Sequence, residues 1–391
     1  MRIVEEGGVS LLVPDSLDPQ KLPAFFNPKG KLVRDVSIVC YGAFASSGAK
    51  NVSFADSLAG IGARGLRVAR SVESVSQVFM NDVNPSAIAL AKKSCEMNHL
   101  ESKCTFSTSE VCSFLVSREG IRDRFDIVDV DPFGTPSPFV DCAIRSVSDD
   151  GLLSLAATDS AVLCGVYPAV AERKYLGRSL RTDYAHEVGI RLIFGLLAMT
   201  AMRLETGIVP LFSHHDMHYF RAYAKIKVGN THSRENERCI GFITHCFNCG
   251  FRATLPKEEI LDPSSSTRKK GANSKYPSNH ARGVCPACSK QALKLGGPLW
   301  IGNIQSKTFV ESCSKISGMQ IFGEGELDIP LYYDLTFISQ SLAVRTPRIN
   351  DVISRLREAG HLAGRTRLNP QGVRTDASIA QVRSAVKELA L

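Results

Sequence analysis

Between residues 52 and 131 short apolar segments alternate with helical ones, and this alternation restricts the chain to very few folds. Val52-Ser53-Phe54-Ala55-Asp56 reads as a strand and runs into Ser57-Leu58-Ala59-Gly60-Ile61-Gly62-Ala63-Arg64-Gly65-Leu66-Arg67, then a helix to about residue 72. Further strands are expected at 75–80, 105–107 and 125–131, with a helix at 86–97. Strands separated by helices build a parallel, doubly wound α/β sheet, because parallel neighbours need a crossover. A fifth strand is expected at 152–157, a long apolar helix at 184–204, and an antiparallel pair at 208–212 and 218–228 closing the sheet. Residues 9–13 and 3–5 give the first strands.

The ends of these strands carry the chemistry. Gly60-x-Gly62-x-x-Gly65 lets backbone approach a ligand, and the helix behind it offers free amides. Asp82 lies about 20 residues beyond that turn, where a ribose-binding carboxylate belongs. Glu110, after the third strand, is placed to meet an adenine edge. A nicotinamide dehydrogenase and an S-adenosylmethionine (SAM) methyltransferase share this plan. The fourth strand separates them, because apolar and acidic residues alternate from Phe125 to Asp131 and then give Asp131-Pro132-Phe133-Gly134. Asp131 and the Pro132 carbonyl can both accept from an exocyclic amine while Phe133 lies on the ring that bears it, a task for an amine methyltransferase. Asp159 is either a carboxylate behind the site or a helix cap. Phe25-Phe26 in a turn-rich, basic setting is either a base-stacking surface or a core plug. His214, His215 and His218 lack a matched cysteine or carboxylate and read as polar loop residues.

After Gly229 the character changes. Cys246-x-x-Cys249 and Cys285-x-x-Cys288 can give four thiolates to one tetrahedral zinc, a closed site that holds structure and does no catalysis. The 35 residues between the pairs read as an extruded loop whose Arg268-Lys269-Lys270 either brushes phosphate or keeps it soluble. Helices are expected at 332–342 and 349–359, a basic hairpin at 364–376 turning on Asn369-Pro370-Gln371-Gly372, and a last helix from about residue 378. Helices plus a basic hairpin make a winged-helix-like nucleic-acid grip. The net charge is +8, and residues 341–391 hold nine Lys/Arg against four Asp/Glu, which suits a polyanionic partner. The other cysteines of the twelve are scattered, which favours buried free thiols in a reducing cytoplasm over a disulfide framework. No apolar run reads as a membrane span and the N-terminus has no signal-peptide order.

In order, the chain carries Phe25-Phe26-Asn27-Pro28 with Arg34-Asp35, Gly62-Ala63-Arg64-Gly65-Leu66-Arg67, Asn81-Asp82, and Asp131-Pro132-Phe133-Gly134-x-Pro136. These are followed by Ala157-Thr158-Asp159, Arg173-Lys174-Tyr175, His186-Glu187-Val188-Gly189-x-Arg191, His218-Tyr219-Phe220-Arg221, the cysteine knuckles, and Gly297-Pro298-Leu299-Trp300-x-Gly302. Arg365-Thr366 and Asn369-Pro370-x-Gly372 end the series. Over nearly its whole length the chain resembles the tRNA guanine-26 N2-dimethyltransferase family, in a compact form like its archaeal members. The resemblance implies a Rossmann-like SAM methyltransferase domain at 1–228. It also implies a C-terminal tRNA-binding domain at 229–391, made of a zinc-ribbon subdomain (239–300) and a helical basic module (301–391). It implies that Arg34, Arg64, Asp82, Glu110 and Val111 hold SAM. Asp131 with Pro132 would be catalytic, with Phe25 and Phe133 sandwiching the guanine, and Cys246, Cys249, Cys285 and Cys288 binding structural zinc. The partner would be tRNA, met by a cytoplasmic monomer with no obligate protein partner. The sequence departs from the family at Phe26, where tyrosine is usual, at Val33, where asparagine is, and at Glu110, where aspartate is common. The rivals are a SAM enzyme for another nucleic-acid or protein amine, which would not need the ribbon or the basic module, and a non-catalytic tRNA-binding protein. Intact Arg34, Asp82 and Asp131 argue against the second.

Overall fold

The computed structural model describes residues 1–15, 24–48, 51–117, 124–261, 283–322 and 327–390. Arg268-Lys269-Lys270 lies outside the described residues. Two compact units form. One comprises Met1–Thr158, Arg203–His232 and Gln305–Gly323, the other Asp159–Met202, Ser233–Ile304 and Glu324–Leu391. The units interleave along the chain, whereas the sequence divides it once, after residue 228.

In the first unit β1 (Arg2–Glu6) and β2 (Val9–Val13) form an antiparallel hairpin. The helix α1 spans Lys31–Ala45. A seven-stranded sheet follows, made of β3 (Val52–Asp56), β4 (Val75–Asn81), β5 (Cys104–Ser107), β6 (Phe125–Val130), β7 (Val147–Ala157), β8 (Thr206–Asp216) and β9 (Tyr219–Val228). Its order is β5-β4-β3-β6-β7-β9-β8. The first five are parallel, and β9 runs antiparallel to both β7 and β8. The intervening helices are α2 (Ala63–Ser71), α3 (Pro85–Met97), α4 (Val111–Val116) and α5 (Val140–Ser146). From β3 the chain builds outward to β4 and β5, then returns to lay β6 on the other side. That reversal opens a crevice at the carboxyl ends of β3 and β6, the usual place for a ligand in such sheets.

Three local features of this unit differ from the sequence expectation. Residues 31–35 belong to α1, because Asn27 accepts the Lys29 amide (3.0 Å) and Pro28 starts a 3-10 turn that leads into it. His214 and His215 are strand residues of β8, and His214 is buried with neither ring nitrogen hydrogen-bonded among the described residues. Cys112 and Cys142 are joined by a disulfide, since α4 packs on α5 and brings their Cα atoms to 5.4 Å.

In the second unit β10 (Ile240–Cys246), β11 (Arg252–Pro256) and β12 (Leu293–Trp300) form an antiparallel sheet with β10 in the middle. A smaller sheet joins β13 (Tyr333–Asp334), β14 (Ala363–Thr366) and β15 (Asn369–Thr375), with β15 central. The hairpin turns on Arg367 and Leu368, so Asn369-Pro370-Gln371-Gly372 is strand and not turn. Helices Leu335–Leu342, Ile349–Glu358 and Ile379–Leu389 complete this part, the last opened by a Ser378–Gln381 capping box.

The helix Ala185–Met202 is long and apolar enough to cross a bilayer, contrary to the sequence expectation, yet 78% of it is buried inside the protein. It packs against β12 through Gly195, where a Cβ would sit 2.9 Å from the Leu299 Cα and 3.1 Å from the Trp300 amide nitrogen. Both are main-chain atoms and cannot swing aside. Gly195→Val should therefore cost about 1–3 kcal/mol by overpacking, read as a lower urea midpoint at unchanged m-value. An unchanged midpoint would mean that the helix is free to move off β12.

Candidate active site

A cavity of ≈ 340 Å³ opens at the carboxyl edge of the sheet. Each of its polar groups is brought there by a different element. Asp56 ends β3, Asp82 follows β4, Asp131 follows β6 and Thr158 follows β7. The glycine turn supplies Gly60, and the segment before α1 supplies Phe25 and Asn27.

Asp82 fixes the glycine turn, with one oxygen accepting the Gly60 amide (2.8 Å) and the other the Asn84 amide (2.9 Å). Each carboxylate oxygen has a second lone pair, so both can still accept from hydroxyls. Arg34 donates through Nε and Nη2 to Glu6 (2.7 Å each) and through Nη2 to the Asn27 carbonyl (3.0 Å), leaving Nη1 without a partner among the described residues. Burial opposes the charge of Glu6, and Arg34 and Arg67 outweigh it, holding its carboxyl below the usual range.

The floor of the cavity is a closed network of charge. Arg64 donates from Nε to Asp129 (2.9 Å), from Nη1 to the Ser37 hydroxyl (2.7 Å), and from Nη2 to Asp131 Oδ2. Arg221, wholly buried on β9, donates to Asp129 Oδ1, to the Ser154 hydroxyl (2.7 Å) and to Asp131 Oδ2 (2.9 Å). The Tyr41 hydroxyl adds a bond to Asp129 (2.8 Å). Both guanidinium groups thus converge on one oxygen of Asp131, and its Oδ1 has no partner among the described residues. Burial works to raise the Asp129 carboxyl, but Arg221 and Arg64 outweigh it and hold it at about 2. Asp56 lacks such partners, and burial followed by the negative charge of Asp129 pushes it up to about 7.

The loop that carries Asp131 is itself clamped. The Gly134 amide donates to the Thr158 hydroxyl (2.8 Å) and the Thr158 amide to the Gly134 carbonyl (2.7 Å), with Gly134 at φ 81° where a side chain would strain the turn. Phe133 projects from this loop, 79% exposed, and meets the Phe25 ring edge to face with centroids 5.0 Å apart. A base between them needs planes about 7 Å apart, two carbon–carbon contacts of about 3.5 Å, so one ring must swing outward. Phe26 is buried under the Arg34 guanidinium (5.0 Å), so the aromatic pair serves as both core plug and cavity wall.

Of the residues expected to hold a cofactor, Arg34, Arg64 and Asp82 line the cavity with Asp131, Pro132, Phe133 and Phe25, whereas Glu110 and Val111 do not. Glu110 caps α4 by accepting the Ser113 amide (2.9 Å), and Val111 is buried. Asn81 ties their segment to the crevice edge, donating to the Ser57 (3.1 Å) and Ser109 (3.0 Å) carbonyls. Arg64 also spends two donors on holding acids and a third on the Ser37 hydroxyl, a role the sequence did not assign it. Arg221 and Asp129 were missed as well. Asp129 lies two residues from Asp131, hence on the same face of the strand, which was the available signal.

In the second unit the sulfur atoms of Cys246, Cys249, Cys285 and Cys288 lie within 4.8 Å of one another. Cys246–Cys288 is 3.7 Å and Cys249–Cys285 3.6 Å, against about 3.8 Å for the edge of a tetrahedron with Zn–S bonds of about 2.3 Å. The Ala287 amide (3.4 Å) and Asn248 side chain (3.6 Å) donate to two of the sulfurs, as suits thiolates. The cluster is compatible with structural zinc.

Residues 7–387 match the family model described as N2,N2-dimethylguanosine tRNA methyltransferase. A tRNA (guanine(26)-N(2))-dimethyltransferase from Methanothermobacter thermautotrophicus is 34% identical over 100% of this chain and 99% of its own length. Its counterpart from Methanosarcina acetivorans is 32% identical, with 99% of each chain covered. The solved complex of Trm1 from Pyrococcus horikoshii with S-adenosyl-L-methionine is similar over 99% of this chain and 100% of that one, with TM-score 0.82 and 27% identity.

The acids of the floor make stability depend on pH in two opposite windows. Asp56 has a folded pKa of about 7, above its unfolded value near 3.9, so its contribution is complete below about pH 4 and is lost as pH rises toward 7. Asp129, depressed to about 2, contributes above about pH 4 and loses that contribution as pH falls toward 2. Asp56→Asn should therefore flatten the fall in stability between pH 5 and 7, followed by urea midpoints without cofactor. A slope equal to that of the wild type would show that Asp56 does not carry the proton.

Proposed function

The chain belongs to the N2,N2-dimethylguanosine tRNA methyltransferase family, and from that membership we propose how its residues divide the work. The enzyme transfers methyl groups from SAM to the exocyclic N2 of guanine 26 in tRNA, giving N2-methyl- and then N2,N2-dimethylguanosine. SAM supplies an activated sulfonium methyl, so the protein's task is to orient a poor nucleophile. The lone pair of the guanine amine is delocalised into the ring, and acceptors placed on its hydrogens raise electron density on nitrogen.

Asp131 Oδ1 and the Pro132 carbonyl accept the amino hydrogens. The observation that carries this role is the double guanidinium hold on Oδ2 of this cavity-lining residue, which fixes the carboxylate and leaves Oδ1 without a partner among the described residues. Because two cations share that carboxylate, its main task is orientation, and the released proton passes to it or to water. Phe25 and Phe133 open around the extruded base, at roughly 1–3 kcal/mol per base–aromatic contact. Asp82 takes the ribose, Arg34 Nη1 the cofactor carboxylate, and the segment at Glu110 and Val111 borders the adenine; the closeness of Asp82 to Gly60 and the free Nη1 support the first two.

The four cysteines hold a structural zinc ribbon, and the helices with the β14–β15 hairpin form a winged-helix-like grip on tRNA; together residues 229–391 serve binding and residues 1–228 transfer. A monomeric state and a cytoplasmic setting complete this proposal.

Asp131→Asn keeps the shape of the side chain but replaces an anionic acceptor with an amide. Single-turnover transfer to unmodified tRNA should fall about 100-fold or more, with SAM affinity by calorimetry within about threefold. Near-normal turnover would remove Asp131 from the mechanism. Stripping the metal with a strong chelator should lower the melting temperature before it changes SAM affinity, whereas an unchanged melting curve in a metal-free sample would remove zinc from the fold.

A further inference from the structure

A second cavity, ≈ 410 Å³, is lined wholly by residues of the second unit and shares none of them with the first cavity. Its walls come from the Cys246–Cys249 knuckle, the segment before Ala185–Met202, and helices Leu335–Leu342 and Ile379–Leu389. Two phenylalanines line it half bare, Phe247 at 52% and Phe337 at 50% exposure. Single exposed apolar residues are ordinary, but two rings in one concavity of ligand-holding size form a binding surface.

The charge at this cavity is matched to RNA. Arg181 is exposed and has no hydrogen-bond or ion-pair partner among the described residues. Arg383 donates only to the Ser341 hydroxyl (3.0 Å) and meets no carboxylate among the described residues. Asp183, the carboxylate on the wall, has both oxygens taken by Arg252 (2.9 and 3.0 Å), which is itself buried against the Tyr184 and Tyr333 rings. The cysteine sulfurs on the wall are turned to their own cluster, with Cys246 completely buried. Two aromatic faces beside two uncompensated guanidinium groups are the chemistry that holds an unpaired base and its phosphate.

We propose that this cavity binds an unpaired nucleotide of the tRNA substrate, with the base on Phe247 and Phe337 and the phosphate on Arg181 and Arg383. A second grip of this kind selects RNA with an exposed base over continuous duplex and adds affinity through residues other than those of the methyl-transfer site. It rests on tRNA being the substrate but not on any assigned catalytic residue.

The test uses the full-length, metal-loaded protein, unmodified tRNA and a blunt, fully paired RNA hairpin of similar length whose loop is a non-nucleotide linker. Phe247→Ala and Phe337→Ala should each weaken tRNA binding roughly 5- to 100-fold, with zinc content, melting curve and SAM affinity retained and hairpin binding unchanged. Phe247→Leu and Phe337→Leu, apolar but without a π face, should recover little of the loss. Arg181→Ala and Arg383→Ala should each reduce the slope of log Kd against log salt by about one. Wild-type tRNA affinity in both Phe→Ala variants would overturn the proposal, as would equal losses on tRNA and hairpin or full rescue by leucine. Failure of the catalytic assignment would appear instead as normal turnover in Asp131 variants, so the two can fail separately.

Discussion

Two guanidinium groups facing two carboxylates under the cavity floor are the constraint on which the first unit depends. Arg64 comes from α2, Arg221 from β9, and Asp129 and Asp131 from β6 and its end, while α1 adds Tyr41 and Ser37 and β7 adds Ser154. Five elements therefore meet in one polar cluster. Removing these ions from water costs several kcal/mol each, and replacing such a cluster with apolar side chains is often neutral or stabilising. Its value is geometric. It sets Asp131 Oδ2 from below, so the other oxygen has one direction left. Breaking it from one side would leave a buried charge unmatched, typically at a cost of about 3–5 kcal/mol.

Charge balance explains why the neighbouring acid behaves differently. Two cations match Asp129 and Asp131, leaving none for Asp56, which keeps its proton to near neutrality. Its oxygen still accepts the Gly65 amide (3.1 Å), so it helps anchor the start of α2 and with it Arg64. The floor is thus rigid, whereas the roof is not. Phe133 is exposed and touches Phe25 by an edge contact that costs little to open. A fixed acceptor below and movable rings above suit a reaction in which the base must enter, receive one methyl, rotate about its C2–N2 bond and receive another.

Much of this was legible in the sequence because its signals are local. The strand–turn–helix at 52–72 and the Asp-Pro-Phe-Gly loop each lie within a few consecutive residues, and the spacing of the two Cys-x-x-Cys pairs points to the four sulfurs that the fold brings together. What was not legible depends on residues far apart in the chain. Arg221 reaches Asp131 across 90 positions, and nothing near it indicates that its guanidinium turns inward. Alternation in β6 reports only which residues share a side and not what covers it, so it does not reveal that Asp129 is wholly buried. The hairpin turn was misplaced because Asn-Pro-Gln-Gly is good turn chemistry, yet cross-strand pairing with β14 and β13 carried those residues into the ladder. Helix 31–45 was overlooked for its β-branched, glycine-containing sequence, whose helicity comes from packing on the sheet.

The most direct measurement is the crystal structure of the protein with a non-reactive SAM analogue and an unmodified tRNA, read at a single distance. The guanine amino nitrogen should lie about 2.7–3.2 Å from Asp131 Oδ1 and from the Pro132 carbonyl, with Arg64 and Arg221 still holding Oδ2. An amino nitrogen beyond hydrogen-bond reach of Oδ1, or an Asp131 released from both guanidinium groups in the complex, would contradict it.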